Sequence, residues 1–142
     1  MNTKEIDRFL RRRLQNFDGV FSIDTLPDRP RLLVCNTDPS DKLGRHWVCV
    51  YVENGRREFF DWFGRRPNET FECYLNRHCS SWSFNERQLQ SVISKLCGHY
   101  CIYCCICCSR NTELRRKIVR SFTNDTALND VLIHGFVCNY RR

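Results

Sequence analysis

The sequence predicts a single α+β domain, and three observations carry that prediction. A strand-turn-strand run occupies His46 to Trp62, a nearly all-apolar segment of helical length occupies Cys97 to Ser109, and helical periodicity recurs near both ends of the chain. Both faces of the hairpin are largely apolar, as in inner strands covered on each side. At 142 residues, 42% hydrophobic and 13% aromatic, the chain holds enough apolar material for one core, so residues 1–142 are read as one domain. No internal repeat, low-complexity tail or Gly/Ser linker divides it.

From the N-terminus, Thr3 to Leu14 places Ile6, Phe9, Leu10 and Leu14 on one face at helical spacing, with Arg11 to Arg13 elsewhere. Phe17 to Pro30 is rich in Asp, Pro and Gly and reads as a loop around a short extended piece from Val20 to Ile23. Leu32 to Cys35 follows as an apolar strand, and Asn36 to Gly44 as a connection.

His46 to Glu53 is β-branched and aromatic, Asn54-Gly55 is a strong two-residue turn, and Arg56 to Trp62 is the returning strand. With Asn54 and Gly55 as the turn, Glu53 faces Arg56, Val48 faces Asp61 and His46 faces Phe63. His46 and Asp61 then share a face as diagonal neighbours. A three-residue loop would put Asp61 on the opposite face, so the inference depends on this turn. Gly64 to Glu69 is a turn-rich exit, Thr70 to Leu75 a short helix or strand, and His78 to Phe84 a further strand. Cys97 to Ser109 forms the buried central helix. Thr112 to Phe122 follows as a basic amphipathic helix, and Asp125 to Ile133 as another, closed by His134-Gly135.

Twenty-three Lys and Arg against 16 Asp and Glu leave a net charge of +7, which suits an acidic partner such as nucleic acid, although an inert solvated surface accounts for the same balance. Eleven cysteines are many, but the charged start Met1-Asn-Thr-Lys-Glu lacks the apolar run of a secretory signal, so the thiols are expected in a reducing compartment. The longest apolar run, Leu96 to Cys108, is shorter than the roughly 20 residues of a membrane span, so a soluble protein without a membrane partner is expected.

The chemistry centres on Gln90 to Cys101. A cysteine nucleophile needs a thiolate, a base, a group to orient the base and donors for an oxyanion. Cys97 falls in the first turn of a helix that Ser94 is placed to cap, where backbone N–H groups and the helix dipole favour a thiolate. Gly98 leaves space beside it for a substrate backbone. His46 takes the proton, Asp61 sets its tautomer, and Gln90 points its amide NH2 at the oxyanion.

The order His46-Trp47, Asp61, then Gln90-x6-Cys97-Gly98 resembles the adenovirus-type cysteine proteases (adenain) and, more distantly, the Ulp-type SUMO proteases, over about Leu32 to Cys108. Asp61 stands where the best-known adenoviral enzymes have Glu; Asp is the choice in the SUMO proteases. The resemblance implies a papain-like fold with a central mixed sheet and the nucleophile at the N-terminus of a buried central helix. It implies cleavage of virion precursor proteins in the virion and host nucleus, or an intracellular soluble role if the chain is not viral. It also implies activation by DNA and by a short basic peptide that adds a strand to the sheet. Cys79 stands where the family bonds that peptide through a disulfide. No metal is required, and a monomer is expected.

Three rival readings stand beside it. One is a Ulp-like protease that removes ubiquitin-like modifiers through the same triad. A second is a zinc module, since Cys101-x2-Cys104, Cys104-x2-Cys107 and Cys105-x2-Cys108 have metal-like spacing; these pairs overlap without a Gly or Pro to bend the chain, and read as small hydrophobes in a helix. The third is a non-catalytic basic DNA-binding protein using Arg115, Arg116, Lys117 and Arg120, which leaves the His-Asp-Gln-Cys order unexplained.

Overall fold

A computed structural model describes residues 1–42, 46–53, 55–77, 81–110 and 117–141. The elements run α1 (Thr3–Arg11), β1 (Gly19–Ser22), β2 (Leu32–Asn36), β3 (Trp47–Glu53), β4 (Arg56–Phe60), α2 (Glu69–Arg77), β5 (Ser81–Phe84), α3 (Cys97–Arg110), a 3-10 turn (Val119–Ser121) and α4 (Thr126–Tyr140). The α+β class expected from the sequence is the class observed.

The five strands lie in chain order, β1-β2-β3-β4-β5. The outer pairs β1·β2 and β4·β5 are parallel and the inner pairs antiparallel, so the sheet is mixed. The inner hairpin pairs Glu53 with Arg56 and Cys49 with Phe60, the register expected of a two-residue turn, with Gly55 in the left-handed region at φ 75°.

Strand alternation divides the core in two. One face carries Val34, Cys49 and Phe60 against Ile6, Phe9 and Leu10 of α1 and the apolar side of α3. The other carries Leu33, Cys35, Val48, Val50 and Phe59 against Phe71, Tyr74 and Leu75 of α2. Burying each such large side chain contributes about 1.5–3 kcal/mol, and β3, central in the sheet, is covered on both sides.

Local signals explain the ends of the helices. The Asn2 side chain accepts from the Glu5 N–H at 3.0 Å while the Glu5 carboxylate accepts from the Asn2 N–H at 2.8 Å, a reciprocal cap that starts α1. The helix stops at Arg11 rather than Leu14, and the N–H groups of Arg13 and Leu14 both turn back to the Leu10 carbonyl. The expected basic helix does not reach Phe122: Val119–Ser121 is a 3-10 turn that buries Ile118 and Phe122. α4 continues through Gly135 to Tyr140, beyond the expected stop. A helical glycine costs about 1 kcal/mol relative to alanine, which the buried Val137 and the packing of Phe136 and Tyr140 on the core outweigh. None of the described helices is long and apolar enough to cross a membrane.

Candidate active site

Antiparallel pairing places the start of β3 beside the end of β4. His46 immediately precedes β3 and Asp61 immediately follows β4. Both side chains therefore emerge at the same end of the sheet. His46 Nε2 lies 2.9 Å from Asp61 Oδ1, and since a carboxylate only accepts, Nε2 is the donor. The same Oδ1 accepts the Phe63 N–H at 2.9 Å, and the Phe63 ring stacks on the imidazole with centroids 4.9 Å apart.

Cys97 is the first residue of α3, which packs under β3, and it lines one cavity with His46, close enough to bear on the charge of the imidazole. With Nε2 committed to Asp61, Nδ1 is the nitrogen left for the thiol. Burial pushes the His46 pKa down, but the hydrogen bond and charge of Asp61, with the neighbouring Cys97, outweigh it and raise the value to about 9. An imidazolium is thus favoured at neutral pH, the counter-charge that a thiolate requires.

Gln90 is fully buried, and its backbone N–H donates to the Trp62 carbonyl at 3.0 Å. Its amide NH2 donates to Ser94 O at 3.1 Å and Ser94 Oγ at 3.0 Å. Ser94 is therefore engaged by Gln90; it lies three residues before α3, whose first bonds instead start from Leu96, with the Tyr100 N–H on the Leu96 carbonyl at 3.0 Å. The expectation that Ser94 caps the helix is corrected accordingly.

His46, Gln90 and Cys97 line one cavity of about 500 Å³ together with Trp47, Phe63 and Lys95. Trp47 Nε1 and Gln90 Oε1 are buried without hydrogen-bond partners.

The glycine after the nucleophile has a different use from the one expected. A Cβ at Gly98 would lie 2.9 Å from Ile6 Cδ1 and 3.7 Å from Met1 Sδ. Gly98 thus admits α1 against α3, rather than making room for a substrate backbone.

Two positioning residues carried no sequence signal. Asn85 is buried just beyond β5; its Oδ1 accepts the Asp61 N–H at 2.9 Å and its Nδ2 donates to the Asp61 carbonyl at 2.5 Å, clamping the backbone of the acid. Trp62 accepts the N–H groups of Leu89 and Gln90 on its carbonyl and donates its indole N–H to Cys101 Sγ at 3.3 Å, which ties the acid-bearing segment to the glutamine loop and to α3. Both links join residues distant in sequence, so spacing could not reveal them.

Cys101, Cys104, Cys105 and Cys108 occupy the buried side of α3, and burial pushes the thiols of Cys101, Cys104 and Cys105 well up. The described residues include no group of three or more His, Cys, Asp or Glu side chains placed to share a metal ion. Lys117, just before the 3-10 turn, and Arg120, within it, are exposed; Cys79, Arg115 and Arg116 lie outside the described residues.

No protein-family model matches the chain, and no curated protein matches it. Among solved structures, the crystal structure of the selenomethionine form of the ASFV pS273R protease is similar, with a TM-score of 0.51 at 20% identity. The likeness covers 75% of this chain and 44% of that one, so this chain spans less than half the length of that protease. It shows a shared α+β fold, the papain-like arrangement expected from the sequence.

Proposed function

We propose that the protein is a cysteine protease of the endopeptidase type, acting through Cys97, His46 and Asp61. The observation that carries the reading is the 2.9 Å bond from His46 Nε2 to Asp61 Oδ1, made while the same imidazole lines one cavity with Cys97, the first residue of a buried helix. The fold shared with the ASFV pS273R protease supports it.

In this reading the Cys97 thiolate attacks the scissile carbonyl carbon, and the carbonyl electron pair moves onto oxygen. The His46 imidazolium protonates the leaving amine as the C–N bond breaks. The neutral imidazole then removes a proton from water, which attacks the thioester and releases the acid and the thiol. Asp61 holds the imidazole ring in place throughout. The Cys97 backbone N–H and the Gln90 NH2 stabilise the oxyanion, Gln90 exchanging its bonds to Ser94 for the substrate oxygen. The finer reading is the adenoviral type: virion precursors as substrates in the virion and host nucleus, DNA bound through Arg115, Arg116, Lys117 and Arg120, and a basic peptide held through Cys79.

A second reading, removal of ubiquitin-like modifiers in the Ulp manner, is favoured by the Asp rather than Glu at position 61. One labelling experiment tests both. A peptide bearing a thiol-reactive electrophile at its C-terminus should label Cys97 alone, and a ubiquitin-like protein bearing the same group should label faster if deconjugation is the activity. Absence of Cys97 labelling by both probes, with DNA and a basic peptide present, refutes the protease reading. DNA affinity that does not fall steeply with salt refutes the electrostatic role of the basic residues.

A further inference from the structure

At the end of the sheet that carries the β3–β4 turn, Arg57 is 2% exposed. It pairs with Val52 across the ladder and projects to the α2 side, where its guanidinium lies 4.8 Å from the centre of the Tyr74 ring. One nitrogen, Nη1, donates to the Tyr74 carbonyl at 2.8 Å, in the last turns of α2. Nε is buried with no partner, and none of the ion pairs among the described residues includes Arg57. A helix C-terminus supplies only about half a negative charge, and a buried cation without a full counter-charge is costly.

The surroundings add to the imbalance. Arg57 lines a cavity of about 730 Å³ together with Arg29 and Arg77, and Asp28 is the acidic residue among the described lining residues. Three arginines against one aspartate give the lining a net of two positive charges around a space large enough for a substituted oxyanion. Had the cavity been meant only to seat Arg57 at the end of α2, one arginine would have sufficed.

We propose that this cavity is a phosphate-binding site. A phosphate dianion balances the two charges, whereas a single carboxylate leaves one unmet. Its oxygens also suit the planar, multidentate donors of arginine. The group arrives either as free phosphate or as a phosphomonoester on a larger molecule. The site lies at the opposite end of β3 and β4 from His46 and Asp61, so its occupancy is read independently of any proteolysis.

The test measures thermal unfolding of the full chain in increasing inorganic phosphate, in sodium chloride at matched ionic strength, and in a nucleoside monophosphate. A ligand that binds the native state raises the midpoint with the logarithm of its concentration once that exceeds Kd. Phosphate is expected to do so where chloride does not. A larger rise with the monophosphate than with inorganic phosphate at equal concentration would identify a phosphomonoester as the ligand, and the reverse order would identify free phosphate. The double variant Arg29→Gln, Arg77→Gln removes two exposed side chains and leaves the buried Arg57 intact, so it is expected to fold and to need at least tenfold more phosphate. Equal responses to phosphate and chloride, or an undiminished response in the double variant, would overturn the proposal.

Discussion

His46 and Asp61, fifteen positions apart in the chain, meet at 2.9 Å because the hairpin between them closes in the register that pairs Glu53 with Arg56. Shifted by one residue, the same strands would send Asp61 to the opposite face of the sheet. The acid of the proposed triad therefore depends on the register that pairs Glu53 with Arg56.

Asp61→Asn keeps the side-chain shape, yet its amide can present an NH2 to Nε2 and so favour the wrong tautomer of His46. The expected result is a fall in kcat of about 10²–10⁴-fold, with Cys97 still in place. Rates on a peptide substrate, compared with circular dichroism to confirm the fold, decide it; a loss under tenfold would remove Asp61 from the triad.

His46 gives stability a signed pH dependence. Its pKa rises from 6.5 to about 9 on folding, so the folded state holds the proton more tightly. The contribution is fully present below about pH 6.5 and is lost as pH rises through about 9. Denaturant unfolding of the native chain and of His46→Gln should show a stability difference that shrinks between these values. A difference constant across that window would contradict the pairing.

Gln90→Ala removes the proposed oxyanion donor and leaves the triad intact. A loss of about 10²–10³-fold in kcat with a small change in KM is expected. If KM rose while kcat held, Gln90 would instead shape substrate binding through its loop.

Gly98→Ala probes the approach of α1 to α3. Overpacking a filled site costs about 1–3 kcal/mol, offset by about 1 kcal/mol of helix propensity. Ile6→Val removes Cδ1, the atom 2.9 Å from the added methyl group. The double variant should therefore be more stable than the sum of the single effects predicts, as read by chemical denaturation; strict additivity would mean the methyl group is accommodated elsewhere.

Much of this architecture was legible along the chain because its signals are local. The β-branched runs around Asn54-Gly55 specified both strands and their register. The uninterrupted apolar and cysteine residues after Leu96 marked a helix buried on most sides. The end of α4 departs from its local signal because Gly135 counts as a stop only when no core lies beyond it, and Phe136, Val137 and Tyr140 find one. Gly98 packs against Ile6, and nothing in its neighbours in sequence announces that contact.

The sequence by itself determined the chemistry available: a histidine and an acid at the two outer ends of a hairpin, and a cysteine opening a helix. These follow from periodicity and turn type, which act over a few residues. The tertiary structure alone decided what surrounds them: Asn85 clamping Asp61, Trp62 tying the glutamine loop to α3, Ser94 holding the Gln90 amide, and three arginines gathered around one cavity at the far end of the sheet. Apart from the local Gln90–Ser94 bond, those contacts join segments far apart in the chain, and chain closure under packing, which has no local signature, brings them together.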